Sequence, residues 1–208
     1  MTAPVDYPVS LVIDRFDGVR DKMTTFFRPF VAIPILIILG LLGGSTFGWE
    51  QSPWNLEFPA AGLVILPTIL MLLFRHKYPR WWFDWNLAIS RFALRVGAYM
   101  TLLRDEYPST DEEQAVHLKI PYPDAERELS SGLPLVKWFL AIPHLVILGF
   151  LSIAVLVCVV AAWLVILFTG KYPDSLAEFV VGYFRWELRV AAYAFLLTTD
   201  KYPPFSLD

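Results

Sequence analysis

Apolar positions along this chain come in blocks, and the blocks differ in kind. Residues 143–168 contain no charged side chain, and His144 is their only strongly polar residue. That run is about the length needed to cross a hydrocarbon core of roughly 30 Å. A second block runs from about residue 30 to 42, resumes near 60 and ends at Phe74, where Arg75-His76-Lys77 follows. Segments 81–103 and 176–197 read instead as amphipathic helices. On a 3.6-residue wheel Asp84, Arg91, Arg95 and Ala98 share one narrow face, and Glu178, Arg185, Arg189 and Ala192 repeat it. Two short stretches, 9–13 and 116–120, alternate apolar and other residues as half-buried strands do. Pairing the two with each other would satisfy backbone groups that a lone strand leaves open.

The order of these blocks occurs twice. The Ala-Ile-Pro core at 32–34 returns at 141–143, Lys77-Tyr78-Pro79 returns as Lys171-Tyr172-Pro173, and Arg91 to Tyr99 returns as Arg185 to Tyr193. Duplication is a common way to build a membrane fold. The expected fold is an all-α integral membrane protein of two tandem repeats, 1–109 and 110–208. Each repeat would hold a short strand, a transmembrane helical hairpin and an interfacial amphipathic helix. The first would carry an inserted external loop at 43–59, which has two acids, two tryptophans and no Lys or Arg. Lys and Arg accumulate on the cytoplasmic side, so Arg28 and Arg75-His76-Lys77 are expected there, with both termini cytoplasmic and the chain multi-pass in a cell inner membrane. In the second repeat, basic residues at both ends (Lys137 and Lys171) favour a tight hairpin near Ser152. The competing reading is one long span from His144 to Phe168, with the segment before Pro143 lying flat.

Composition narrows the chemistry. The 208 residues are 56% hydrophobic with a formal charge of −3, and the mean hydropathy is +0.51. A near-neutral balance suggests no nucleic acid or other polyanion as partner. The one cysteine, Cys158, excludes an internal disulfide and reads as a small packing residue. The start of the chain lacks a basic segment followed by an apolar one, so the first hydrophobic block is expected to be a retained anchor. No glycine-rich nucleotide loop and no metal-spaced Cys/His cluster is present. No nucleophile, base and orienting group can be assembled, so neither catalysis nor a cofactor is expected.

Two features remain as candidate contacts. Arg91 with Arg95, and Arg185 with Arg189, sit one turn apart on one helix face. Their guanidiniums suit a lipid phosphate or a partner's carboxylates. They would equally serve to set the depth of an interfacial helix, or to bond Asp84 and Glu178 of the other repeat. His144 follows Pro143, whose ring frees a backbone carbonyl one turn earlier for the imidazole. A proton-relay or ligand role is the rarer alternative, and the first repeat has Ile35 in its place.

The stretch Leu133 to Trp138, Ala141-Ile142-Pro143-His144, the turn Leu167 to Pro173, and Arg185-Trp186 through Tyr193 to Phe205 resemble a bacterial family of integral membrane proteins, domain of unknown function 4389. The resemblance covers about residues 115–207, with the first half looking like a diverged copy. It implies a bacterial membrane location and no activity. The expected role is a non-enzymatic accessory or scaffold subunit of a membrane assembly, or a homo-oligomer, contacting lipids or hydrophobic partners. The alternative is a small transporter or lipid-handling protein with the four arginines at the headgroups.

Overall fold

The structure, a computed structural model, describes residues 7–16, 18–42, 60–112, 114–130 and 132–208. The expected external loop at 43–59 lies outside the described residues. In chain order come β1 (Ser10–Ile13), α1 (Lys22–Val31), α2 (Ile33–Leu42), α3 (Ala60–Arg75), α4 (Arg80–Met100), β2 (Val116–Lys119), α5 (Leu133–Thr169) and α6 (Asp174–Ala194).

The tight hairpin expected in the second half is not formed. α5 is one continuous helix of 37 residues, about 55 Å at 1.5 Å per residue. Neither the internal Pro143 nor the Gly149 to Ser152 stretch interrupts it. It stops at Gly170, whose φ of 74° is left-handed and whose N–H bonds back to Ile166 O. A Cβ there would stand 2.8 Å from the Val19 side chain, so glycine also makes room for the chain that packs against it. With the hairpin goes the count of four spans. Among the described residues, α5 is long and apolar enough to cross a membrane, and α1 with α2 passes the same test as a pair bent by 41°.

The buried positions of α5 explain how it is held. Pro134, Lys137, Ala141, His144, Leu148, Val155, Ala162 and Ile166 recur at three, four or seven residues and form a seam. α6 runs back along the first half of this seam. The Trp138 indole donates to Ala194 O at 2.7 Å, and the Trp186 indole reaches His144 at 3.0 Å. α1 runs back along the other half, where the Trp163 indole donates to Thr25 O and Lys22 Nζ to Phe168 O. Between the seam positions the surface of α5 from Leu135 to Phe168 is apolar apart from Ser152, exposed over most of its first two-thirds and largely half-buried beyond Val157.

α4 and α6 are antiparallel. The Tyr78 hydroxyl, at the start of α4, donates to Leu196 O just past α6. At the other end Arg20 Nη2 donates to Leu103 O while its guanidinium lies over the Tyr172 ring. The strands expected to pair do pair, antiparallel, with Leu11 opposite Leu118 and Val12 opposite His117. Leu11 and Leu118 point inward and are buried, whereas Ser10, Val12 and Lys119 are exposed. The ribbon is exchanged between halves: β1 packs on α6 and β2 on α4.

Candidate functional site

The four arginines singled out in the sequence are brought together by this ribbon. Arg91 Nη2 donates to Leu118 O at 3.4 Å, and Arg185 Nε donates to Leu11 O at 3.3 Å. Those two carbonyls belong to register partners, so each helix grips the strand above it in the same way. The inner pair turns to the segments that follow each helix. Arg95 donates to Ser109 O at 2.8 Å, and Arg189 donates to Ser206 O at 2.7 Å and Asp208 O at 2.8 Å. Arg95 and Arg189 are buried, Arg185 is half-buried and Arg91 is exposed. The arginine faces are therefore turned onto protein carbonyls. The cross-repeat ion pairs considered for Asp84 and Glu178 are made elsewhere, Asp84 with Arg80 of its own helix and Glu178 with Arg15.

Two clefts flank the ribbon beside these side chains. One, of about 630 Å³, is bordered by Arg91, Arg95, His117, Lys119 and Asp111. The other, of about 360 Å³, is bordered by Tyr7, Arg185, Arg189 and Asp208. Burial pushes the Tyr7 hydroxyl well above the usual phenol range, although the nearby Arg189 charge pulls it back. Its hydroxyl donates to Lys201 O at 3.0 Å, so it works as a donor that ties the N-terminal segment to the C-terminal tail.

His144 is fully buried, and its partner is not the freed backbone carbonyl. Nδ1 accepts the Trp186 indole N–H, which leaves the proton of a neutral imidazole on Nε2, and Nε2 has no partner. Phe205 stacks on the ring with centroids 3.9 Å apart and planes 13° apart, and Tyr202 leans on it at 4.9 Å. The imidazole is thus the floor on which the C-terminal tail rests. The tail is admitted further along α6 by Gly182, where a Cβ would meet Leu207 O at 2.7 Å.

Sequence reasoning read Arg28 and Lys137 as topology markers, and here it missed their role. Lys137 is fully buried, with Nζ 2.7 Å from Asp200 Oδ1, donating to Thr199 O and facing the Tyr193 ring. Arg28 is 2% exposed, pairs with Asp105, donates to Tyr99 O and Arg104 O, and lies over the Tyr99 ring. The signal was available: each base sits four residues before the alanine of its Ala-Ile-Pro core, and each acid follows its tyrosine by six or seven residues. Asp105 has a second cation, Arg20 at 2.9 Å; burial lowers the Arg20 guanidinium and the carboxylate pulls it back up. Among the described residues no group of three His, Cys, Asp or Glu side chains stands close enough to hold a metal ion.

Comparison with known proteins adds one finding. Residues 134–206 match a family model described as Domain of unknown function (DUF4389), so the match takes in α5 almost from its first residue, α6 and most of the tail. No curated protein and no solved structure matches the chain.

Proposed function

We propose that this is a non-enzymatic, membrane-embedded protein of two tandem units, acting as an accessory or scaffold subunit of a membrane assembly or as a homo-oligomer. The surface of α5 carries the reading. Over more than nine turns its exposed side chains are apolar save Ser152, whose hydroxyl bonds back to Gly149 O, and its one charged residue, Lys137, is buried in an ion pair. A water-soluble monomer rarely leaves an apolar patch of more than a few hundred Å² uncovered. Paired contacts support the two units: Arg28 with Asp105 and Lys137 with Asp200, Arg91 on β2 and Arg185 on β1, and left-handed Leu102 and Leu197 closing α4 and α6. The arginines bonded to carbonyls favour holding an architecture over binding a solute.

Extraction decides the first half of this proposal. The protein should stay with bacterial membranes through high salt and alkaline carbonate and leave only with detergent; release by carbonate alone would end it. In mild detergent it should then migrate with a partner or as an oligomer, and a lone monomer would remove the scaffold role. The two clefts favour a second reading, capture of an anionic lipid headgroup. Replacing Arg91 and Arg185 together by Gln, with the inner arginines kept, should then remove bound phosphatidylglycerol in native mass spectrometry; unchanged lipid would exclude it.

A further inference from the structure

We propose that α5 lies along the membrane plane within one leaflet, so that the protein is monotopic, with the ribbon and its arginines on the water side. This rests on the membrane reading above and says how the membrane is met. Length is the first argument. The exposed apolar stripe from Leu135 to Phe168 is about 50 Å long at 1.5 Å per residue. A hydrocarbon core is roughly 30 Å thick, and even a tilt of about 40° would leave such a stripe projecting over about 38 Å. Lying flat, its whole length meets acyl chains.

The company α5 keeps is the second argument. α6 runs back along it from Trp138 to beyond His144. An upright α5 would carry α6 into the hydrocarbon with Arg185, Glu187 and Arg189, side chains that are costly there.

Symmetry is the third. α4 with α6, and β1 with β2, are antiparallel pairs that exchange about one axis through the ribbon. Set in the membrane plane, that axis would place the ribbon, with Lys119, His117 and Asp14, at mid-bilayer. Set along the membrane normal, it keeps both arginine pairs and the ribbon at one depth outside the core.

The occupant of the apolar face is lipid. Up to Val157 α5 exposes two or three consecutive residues between most seam positions, such as Trp138-Phe139-Leu140 and Leu145-Val146-Ile147, and beyond it Val160, Leu164 and Phe168 stand out singly. A surface that wraps so much of a helix, with no exposed charge, suits a fluid solvent better than a single partner face. Exposed Trp81, Trp85 and Trp138 add the aromatic side chains favoured at the headgroup level.

Depth along the helix tests this. With Cys158 replaced by Ser, single spin-labelled cysteines go in turn at Phe139, Val146, Ile153 and Val160, all exposed and seven residues apart on one face. The full chain is placed in vesicles of phosphatidylethanolamine and phosphatidylglycerol, and collisions with oxygen and with a water-soluble nickel chelate are compared. The four labels should report depths within about 5 Å of one another, roughly 5–10 Å below the phosphates. From Phe139 to Val160 the helix rises about 32 Å. A profile that deepens by about 15 Å and returns would show a crossing and overturn the in-plane arrangement while keeping the membrane reading. Strong nickel contact at all four would overturn the membrane reading itself. Weak contact with both reagents would mean a protein covers the face, a second copy or another chain, and would overturn the lipid assignment.

Discussion

The seam between α2 and α4 and the seam between α5 and α6 are packed from matching positions with one exchange. Ala32, Ile35 and Leu39 meet Phe92, Val96 and Tyr99 in the first. Ala141, His144 and Leu148 meet Trp186, Val190 and Tyr193 in the second. Where one seam has Ile against Phe, the other has His against Trp, and the exchange is made on both helices at once. A buried histidine facing phenylalanine would lose its donor, and a buried tryptophan facing isoleucine would lose its acceptor. Either orphan costs about 1–3 kcal/mol. The polar pair also carries the Phe205 stack, to which the first half has no counterpart, since Thr110 stands at the matching place.

The largest effect should come from the bases that anchor the two seams. Lys137→Met leaves Asp200 without its buried cation and should cost about 3–5 kcal/mol in denaturant unfolding from detergent. Arg28→Met should cost less, about 1–3 kcal/mol, because Arg20 still pairs with Asp105. Equal losses would mean the second cation contributes nothing and would dissolve this difference between the halves.

Next in size is the exchange itself. His144→Ile and Trp186→Phe should each cost about 1–3 kcal/mol, and the double variant should fall short of their sum by about 1 kcal/mol or more. Strict additivity would mean the pair is not coupled. Gly182→Ala is a smaller step, toward the Ala88 that the first half has in register. Its methyl would strike Leu207 O, so a loss of about 1 kcal/mol is expected, together with faster carboxypeptidase trimming of the tail.

The smallest effect concerns Glu187, which replaces Ala93 of the first half. Its carboxylate is open to the surface yet stands in a trough of Leu145, Leu148, Val190 and Phe195, and burial among them pushes its pKa up. The folded state thus holds the proton more tightly than the unfolded chain, so this group's contribution to stability falls as pH rises through that range. Glu187→Gln should raise the melting temperature at neutral pH, and the gain should vanish as pH drops below the ordinary value of 4.5. A gain independent of pH would assign the effect to packing.

Local pattern was enough for much of this fold. The strands expected at 9–13 and 116–120 are Ser10–Ile13 and Val116–Lys119, and the helices expected at 81–103 and 176–197 are Arg80–Met100 and Asp174–Ala194. Period decided both, two for the ribbon and 3.6 for the helices. α5 was misread for a physical reason. Its ends looked like cytoplasmic markers because they are basic, but a lysine in sequence does not reveal whether it faces water or a buried aspartate. The turn expected near Ser152 does not form, and Gly149 beside it costs only about 1 kcal/mol within a helix that many strong formers sustain. Of the site, the arginine pairs were visible from spacing. The carbonyl partners of the outer two were not, since those come from strands 27 residues away from Arg91 and 174 away from Arg185.

The exchanged strand also sets a timetable for synthesis. β1 is made first, but its ladder partner ends at Lys119 and the helix beneath it ends at Ala194. At about 5–20 residues per second, β1 waits roughly 5–20 s for a neighbour and roughly 10–35 s for its seat on α6. During that interval its edges are open to any other extended chain. Four residues make a poor template, and the brevity of β1 keeps the delay safe.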